Sequence, residues 1–243
     1  MINKLNLVKM NPRQENLFKI ITSQYIKTAQ PVSSKFIAEA GNFEFSPATV
    51  RNEMAELENQ GYICHPHTSA GRVPTEKGYQ FFVDNFLIED RINKRHQEFL
   101  DKLAKQFNKF EPQVAKELAK GMAEFSQGAV FIAFSDSDFY YTGISNLFAQ
   151  PEFEHHQLVY NLSQVIDHLD RVVNKIFDST KSNVEIYIGS QNPFSPDCSS
   201  VIAKYKTKNH SGLLGILGPI RMDYQNNASL IKYSQRIINS LDR

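Results

Sequence analysis

The sequence predicts an α+β protein with an N-terminal winged helix-turn-helix unit, a long helical connector and a C-terminal domain built on an antiparallel sheet. Three observations predict it. Three short helical patterns, each with capping residues, precede a turn-rich hairpin. Amphipathic helical spacing fills the middle of the chain. Beyond Gly128 the apolar period changes from helical to strand-like. The expected boundaries are residues 1–75, 76–127 and 128–243.

The chain is long enough for this: 243 residues with 41% hydrophobic content can form one large core or two small ones. Formal net charge is +1, so a nucleic-acid partner would have to be met by a local patch. Cys64 and Cys198 lie far apart and read as two reduced thiols. No apolar run reaches the ~18 residues of a membrane span. The opening "MINKLNLVKMNPRQ" lacks the continuous apolar stretch of a signal peptide. A soluble, cytoplasmic protein with no membrane partner is expected.

The first helix opens at Asn11-Pro12, with Gln14 placed to complete a capping box. Leu17, Phe18, Ile21 and Tyr25 form its buried face, and the pattern stops near Gln30-Pro31. Ser33 or Ser34 caps a short second helix, whose contacts come from Phe36, Ile37 and Ala40 before Gly41 ends it. Ser46 and Pro47 start the third. Val50, Met54 and Leu57 point to the core, and Gly61 stops it. Thr49, Arg51, Asn52, Glu53 and Glu56 occupy the opposite face.

Two short helices in this order suit a helix-turn-helix. There the N-terminal residues of the second helix meet base edges in the major groove. Here those are Ser46, Ala48, Thr49, Arg51 and Asn52. Arg donates two hydrogen bonds to guanine, and Asn pairs with adenine. A three-helix bundle with a polar surface would show much the same pattern. The hairpin that follows favours DNA. Tyr62 to Cys64 reads as a strand, "HPHTSAGR" as a tip, and Val73-Pro74 as the return before Thr75 caps the next helix. Ser69, Gly71 and Arg72 then lie on a wing. Gly71 lets the backbone approach a phosphate, and Arg72 supplies charge. Lys35 and Lys77 are further phosphate candidates. Loss of Arg72 would flatten the salt dependence of binding by about one unit of slope. Cys64, His65 and His67 are close in sequence, but strand alternation points the first two apart, so no metal site is expected.

From Thr75 the helical pattern continues through Tyr79, Phe82, Phe86 and Leu87, then Ile92, Phe99, Leu100, Leu103 and Phe107. Glu111-Pro112 breaks it, and Val114, Leu118, Met122 and Phe125 make a further helix. This apolar stripe needs a partner: the C-terminal domain, a second copy of the chain, or both. Next come four strands, "AVFIAFS", "VEIYIGS", "SSVIAKYK" and "SGLLGILGP", interleaved with helices near 155–177 and 226–241. No nucleophile stands at a useful spacing from His155, His156 or His168. Gly212, Gly215 and Gly218 do not make a phosphate loop, and "SDSD" is a turn. The chain is not expected to be an enzyme, and no cofactor is expected.

The stretch "SPATVRNEMAELENQGYICHPHTSAGRVPTEKGYQFFVD", Ser46 to Asp84, resembles the signature of the HrcA family of bacterial heat-inducible transcription repressors. "GISNLFAQPEF" (Gly143 to Phe153) and "GPIRMDY" (Gly218 to Tyr224), the latter preceded by "CSSVIAKY", are similar to further family segments. The resemblance implies a GAF-like C-terminal domain and repression of chaperone operons. It also implies a homodimer that binds double-stranded DNA at an inverted repeat, the CIRCE operator, with activity promoted by the GroEL chaperonin. Family members usually carry a dimerising insert in the C-terminal domain. Here the insert is absent or much shortened, since "AVFIAFSDSDFYYTGISNLFAQPEF" passes directly from a strand to the shared segment. Two alternatives stay open: a winged-helix regulator that responds to a small ligand, and a protein-interaction adaptor.

Overall fold

Asn11 opens helix α1 (Pro12–Thr28) with a complete capping box: its side chain accepts from the Gln14 amide, and Gln14 returns the bond to the Asn11 amide. The computed structural model describes residues 10–39, 46–67, 70–88, 91–135, 137–154 and 156–241. The chain divides into two compact units, Met1–Leu87 and Ile88–Arg243.

In the first unit, α2 (Ser34–Glu39) starts at Ser33, whose hydroxyl accepts from the Phe36 amide. Only Ile37 of this helix is buried. Phe36, expected as a core contact, is 42% exposed, because adjacent helical side chains point about 100° apart and Ile37 takes the inward position. Ala40 and Gly41 lie outside the described residues. Helix α3 (Pro47–Asn59) buries Val50, Met54 and Leu57 as its spacing predicts. These pack with Leu17, Phe18, Ile21, Ile37 and Ile63 into one core. Each such side chain contributes roughly 1.5–3 kcal/mol by leaving water.

Strands β1 (Ile63–Cys64) and β2 (Val73–Pro74) pair antiparallel, Ile63 opposite Pro74 and Cys64 opposite Val73. A further rung was not foreseen. The Val32 amide donates to the Arg72 carbonyl and the Arg72 amide to the Val32 carbonyl, both at 2.9 Å. This approach explains Gly71, where a Cβ would sit 2.4 Å from the Val32 carbonyl carbon. The missing side chain thus already serves a contact inside the protein. Thr75 caps α4 (Glu76–Phe86), which packs on α1. The region expected as one connector, 76–127, is therefore divided. Helix α4 belongs to the first unit, and α5 (Lys94–Ala104) and α6 (Pro112–Ser126) to the second.

The second unit holds a five-stranded antiparallel sheet. Its strands are β3 (Ala129–Ala133), β4 (Phe139–Thr142), β5 (Glu185–Ile188), β6 (Cys198–Lys206) and β7 (Ser211–Pro219), in the spatial order β4-β3-β7-β6-β5. Strand β4 was not anticipated: "FYYT" sits at an edge, half exposed, and offers no continuous apolar run. The near-continuous burial of β3, β6 and β7 reflects cover on both faces. On one face lie Phe131, Ile202, Leu213 and Leu217. They pack under α7 (Ile144–Phe148), α8 (His156–Asp167) and α9 (Leu169–Phe177), through Leu147, Leu162 and Val173. Gly215 stands opposite Phe131, and a Cβ there would meet the ring at 2.3 Å. On the other face pack α6 and α10 (Tyr224–Ser240). The expected helix 155–177 is two helices, because His168, with φ −122° and ψ 27°, leaves the helical region. His155 lies outside the described residues.

The two shared C-terminal segments meet in space. Arg221 donates to Gln150 at 3.0 Å and to Glu152 at 3.1 Å. Asn146 and Gln150 donate to the carbonyls of Ala123 and Gln127, and Asn226 to that of Phe125. These amides satisfy carbonyls at the end of α6 that the helix itself leaves unpaired.

Candidate nucleic-acid interface

The N-terminal half of α3 presents the features a DNA-reading helix needs. Ser46 is spent on the cap: its hydroxyl accepts from the Thr49 amide at 3.2 Å and meets the Thr49 hydroxyl at 3.0 Å. With Val50, Met54 and Leu57 turned inward, Ala48, Arg51, Asn52 and Ala55 face solvent. The side chains of Arg51 and Asn52 have no hydrogen-bond or ion-pair partner among the described residues. Their neighbours are short, so a groove wall could approach the helix closely. The helix N-terminus adds its partial positive charge.

Glu53, grouped with this face from sequence, is turned away from it. It is paired with Arg13 of α1, and its side chain is largely covered. The pairing removes a carboxylate from the surface where phosphates would lie. Glu56 remains exposed and accepts from Gln60 at 3.0 Å.

The other predicted residues are dispersed. Lys35 on α2 is exposed, with Glu39 at 3.8 Å. Lys77 is tied to the far end of α3: its ammonium donates to the Gln60 carbonyl at 2.7 Å and lies 4.5 Å from the Tyr62 ring centre. A helix of this length spans about 20 Å, so Lys77 is remote from Arg51 and Asn52. Arg72 is only 13% exposed and bonds Glu58 at 2.9 Å. Ser69 lies outside the described residues. Sequence reasoning did not single out Glu58, which gathers Arg72 and His65. Its spacing from them, seven residues to His65 and fourteen to Arg72, carries no signal until the hairpin folds back.

Other chemistry is sparse. Among the described residues no group of three or more His, Cys, Asp or Glu side chains could hold a metal. Burial, with Glu58 adding and Arg72 opposing, pushes the Cys64 thiol up from its usual pKa. Cys198 is pushed up to about 12 by burial and by Asp197. Neither thiol is activated. In the second unit an open depression of about 340 Å³ is lined by Phe134, Ser135, Asn174, Phe177, Asp178 and Ser211. Its Asn and Asp side chains are exposed to water and do not converge as a ligand site requires. No helix is long and apolar enough to cross a membrane, among the described residues.

Comparison with known proteins gives the context. Residues 79–227 match the family model described as HrcA protein C terminal domain. A relative from Halalkalibacterium halodurans, named heat-inducible transcription repressor HrcA, is 22% identical over 335 positions, covering 96% of this chain and 97% of the relative. That alignment is longer than this chain, so the relative carries stretches with no counterpart here. A relative of the same name from Natranaerobius thermophilus is 43% identical over 120 residues. That match covers 49% of this chain and spans about a third of the relative, 35%. A crystal structure of a hypothetical protein aligns over 96% of this chain and 99% of its own, with TM-score 0.71 and 19% identity, which shows a shared fold. The family model covers well over half of the residues, and the chain belongs to the HrcA family.

Proposed function

We propose that the chain is a DNA-binding transcription repressor whose first unit is a winged helix and whose second is a GAF-like domain. One observation carries the reading. The surface of α3 around Arg51 and Asn52 is exposed, without a side-chain partner among the described residues, and cleared of Glu53. That combination suits major-groove reading: Arg51 toward a guanine, Asn52 toward an adenine, and Ser46, Ala48 and Thr49 close to the backbone. Family membership supports heat-inducible repression as the biological role. By the same resemblance the target is the CIRCE inverted repeat of chaperone operons. A two-fold operator calls for a homodimer. Modulation by the GroEL chaperonin completes the proposal.

The test is fluorescence anisotropy with labelled CIRCE and scrambled duplexes at two salt concentrations, without and with GroEL. Preferential, salt-sensitive binding to CIRCE is the expected result. Equal binding of both duplexes by folded protein, with and without the chaperonin, would overturn the reading and favour a protein-interaction adaptor.

A further inference from the structure

We propose that Glu58, His65 and Arg72 form a polar clasp that sets the position of the wing against the reading helix, with Arg72 a positioning residue rather than a phosphate ligand. The inference rests on the DNA-binding function proposed above.

Three elements meet at one carboxylate. Glu58 stands in the last turn of α3, His65 directly follows β1, and Arg72 directly precedes β2. Glu58 Oε1 accepts from His65 Nδ1 at 2.7 Å and from the His65 amide at 3.2 Å. Glu58 Oε2 accepts from Arg72 Nη2 at 2.9 Å. Arg72 Nη1 is turned to His65 Nε2, which closes the ring of contacts. With the proton on Nδ1, a neutral imidazole satisfies both neighbours: it donates to the carboxylate and accepts from the guanidinium. Charge-assisted bonds of this kind are about twice as strong as neutral ones.

Arg72 is held twice. Its side chain is in the clasp, and its backbone makes both bonds of the rung with Val32. For Arg72 to reach a phosphate, it would have to leave a carboxylate that is itself mostly covered, and that cost weighs against the move. The clasp also sits about 10 Å along the helix axis from Arg51, two turns away. It therefore controls the angle between wing and helix without touching the bases that Arg51 would read.

The two roles of Arg72 predict opposite behaviour of Glu58→Gln. A clasp loses a member, so operator binding weakens. A phosphate ligand would be set free of its counter-charge, so binding would hold or tighten. The experiment titrates the full chain and its Glu58→Gln, Arg72→Gln and double variants against CIRCE and scrambled duplexes over a range of salt. The expected result is about tenfold weaker operator binding in each single variant, little further loss in the double, and an unchanged salt slope. Unchanged or tighter binding by Glu58→Gln, together with a slope flattened by about one in Arg72→Gln, would overturn the clasp. Amide exchange is measured on the same proteins without DNA. Val32 and Arg72 should exchange at least tenfold faster in Glu58→Gln, while Val50, bonded within α3, keeps its rate. Wild-type rates at Val32 and Arg72 would also sink the clasp. Wild-type protein that fails to discriminate the duplexes would remove the DNA-binding reading, and the exchange result would still decide the clasp.

Discussion

The two units use their family-like segments in different ways. In the first, the segment from Ser46 to Asp84 turns the Arg51 and Asn52 side chains outward, without a partner among the described residues, while Glu58, His65 and Arg72 bind one another. In the second, the segments 143–153 and 218–224 face inward on each other. Arg221 joins Gln150 and Glu152, and the Tyr224 hydroxyl meets that of Ser199 at 2.9 Å. Similarity to a family therefore falls on an exposed face in one place and on an internal rivet in the other. Only burial and bonding tell the two apart.

The largest effect should come from breaking the rivet. The Arg221 side chain is 11% exposed, and Arg221→Ala would strand Glu152. Losses of about 3–5 kcal/mol are usual when one member of a covered ion pair is removed. Urea unfolding of the variant should show a loss in that range, with no change in which duplex is preferred by the protein that remains folded. A loss under ~1 kcal/mol would mean the rivet is dispensable. Arg51→Ala should behave in the opposite way. It should cost about 1–3 kcal/mol of operator affinity and relax preference at one base pair. Its unfolding free energy should change by no more than ~0.5 kcal/mol, as for an exposed side chain. Unaltered base preference would end the comparison by removing the reading surface.

Ser46 tests both properties at once, because it caps the helix that would read DNA. Ser46→Ala should lower stability by about 1 kcal/mol, and a Ser46→Asp variant should restore the cap. The smallest effect concerns pH. Burial lowers the pKa of His96, which is stacked on Phe125 at 4.1 Å between ring centres. A hydrogen bond with Asn226 opposes the shift, and Arg95 adds to it. The unfolded chain then takes up a proton at this site before the folded one does. Stability from this group is complete above the ordinary histidine range, near 6.5, and is lost as pH falls through it. Thermal unfolding at about pH 7.5 and about pH 5.5 should show a smaller drop for His96→Gln than for wild type. Equal drops would exclude His96 as a source.

Much of the first unit could be read from sequence because its signals are local. A cap and its amide partner are three residues apart, as Asn11 with Gln14 and Ser46 with Thr49 show. The buried faces of α1 and α3 follow helical spacing, and in the second unit β3 and β7 are near-continuous apolar runs. Edges and joints were harder. Strand β4 is four half-exposed residues, and the break at His168 has no proline or glycine to announce it. The connector could not be divided from sequence, since an amphipathic stripe states that it will be buried but not against which partner.

By itself the sequence determined where α1, α3 and α4 start, that Val50, Met54 and Leu57 enter the core, and which candidates for base contact stand at the head of α3. Those properties depend on backbone geometry and on hydrophobic period over a few residues. Tertiary structure alone decided which charges remain available. Arg13 withdrew Glu53, the Gln60 carbonyl and Tyr62 ring took Lys77, and Glu58 took Arg72. A charged side chain reads the same in sequence whether it will meet solvent or a carboxylate brought from many residues away. Its fate is set by chain closure, which the local pattern does not contain.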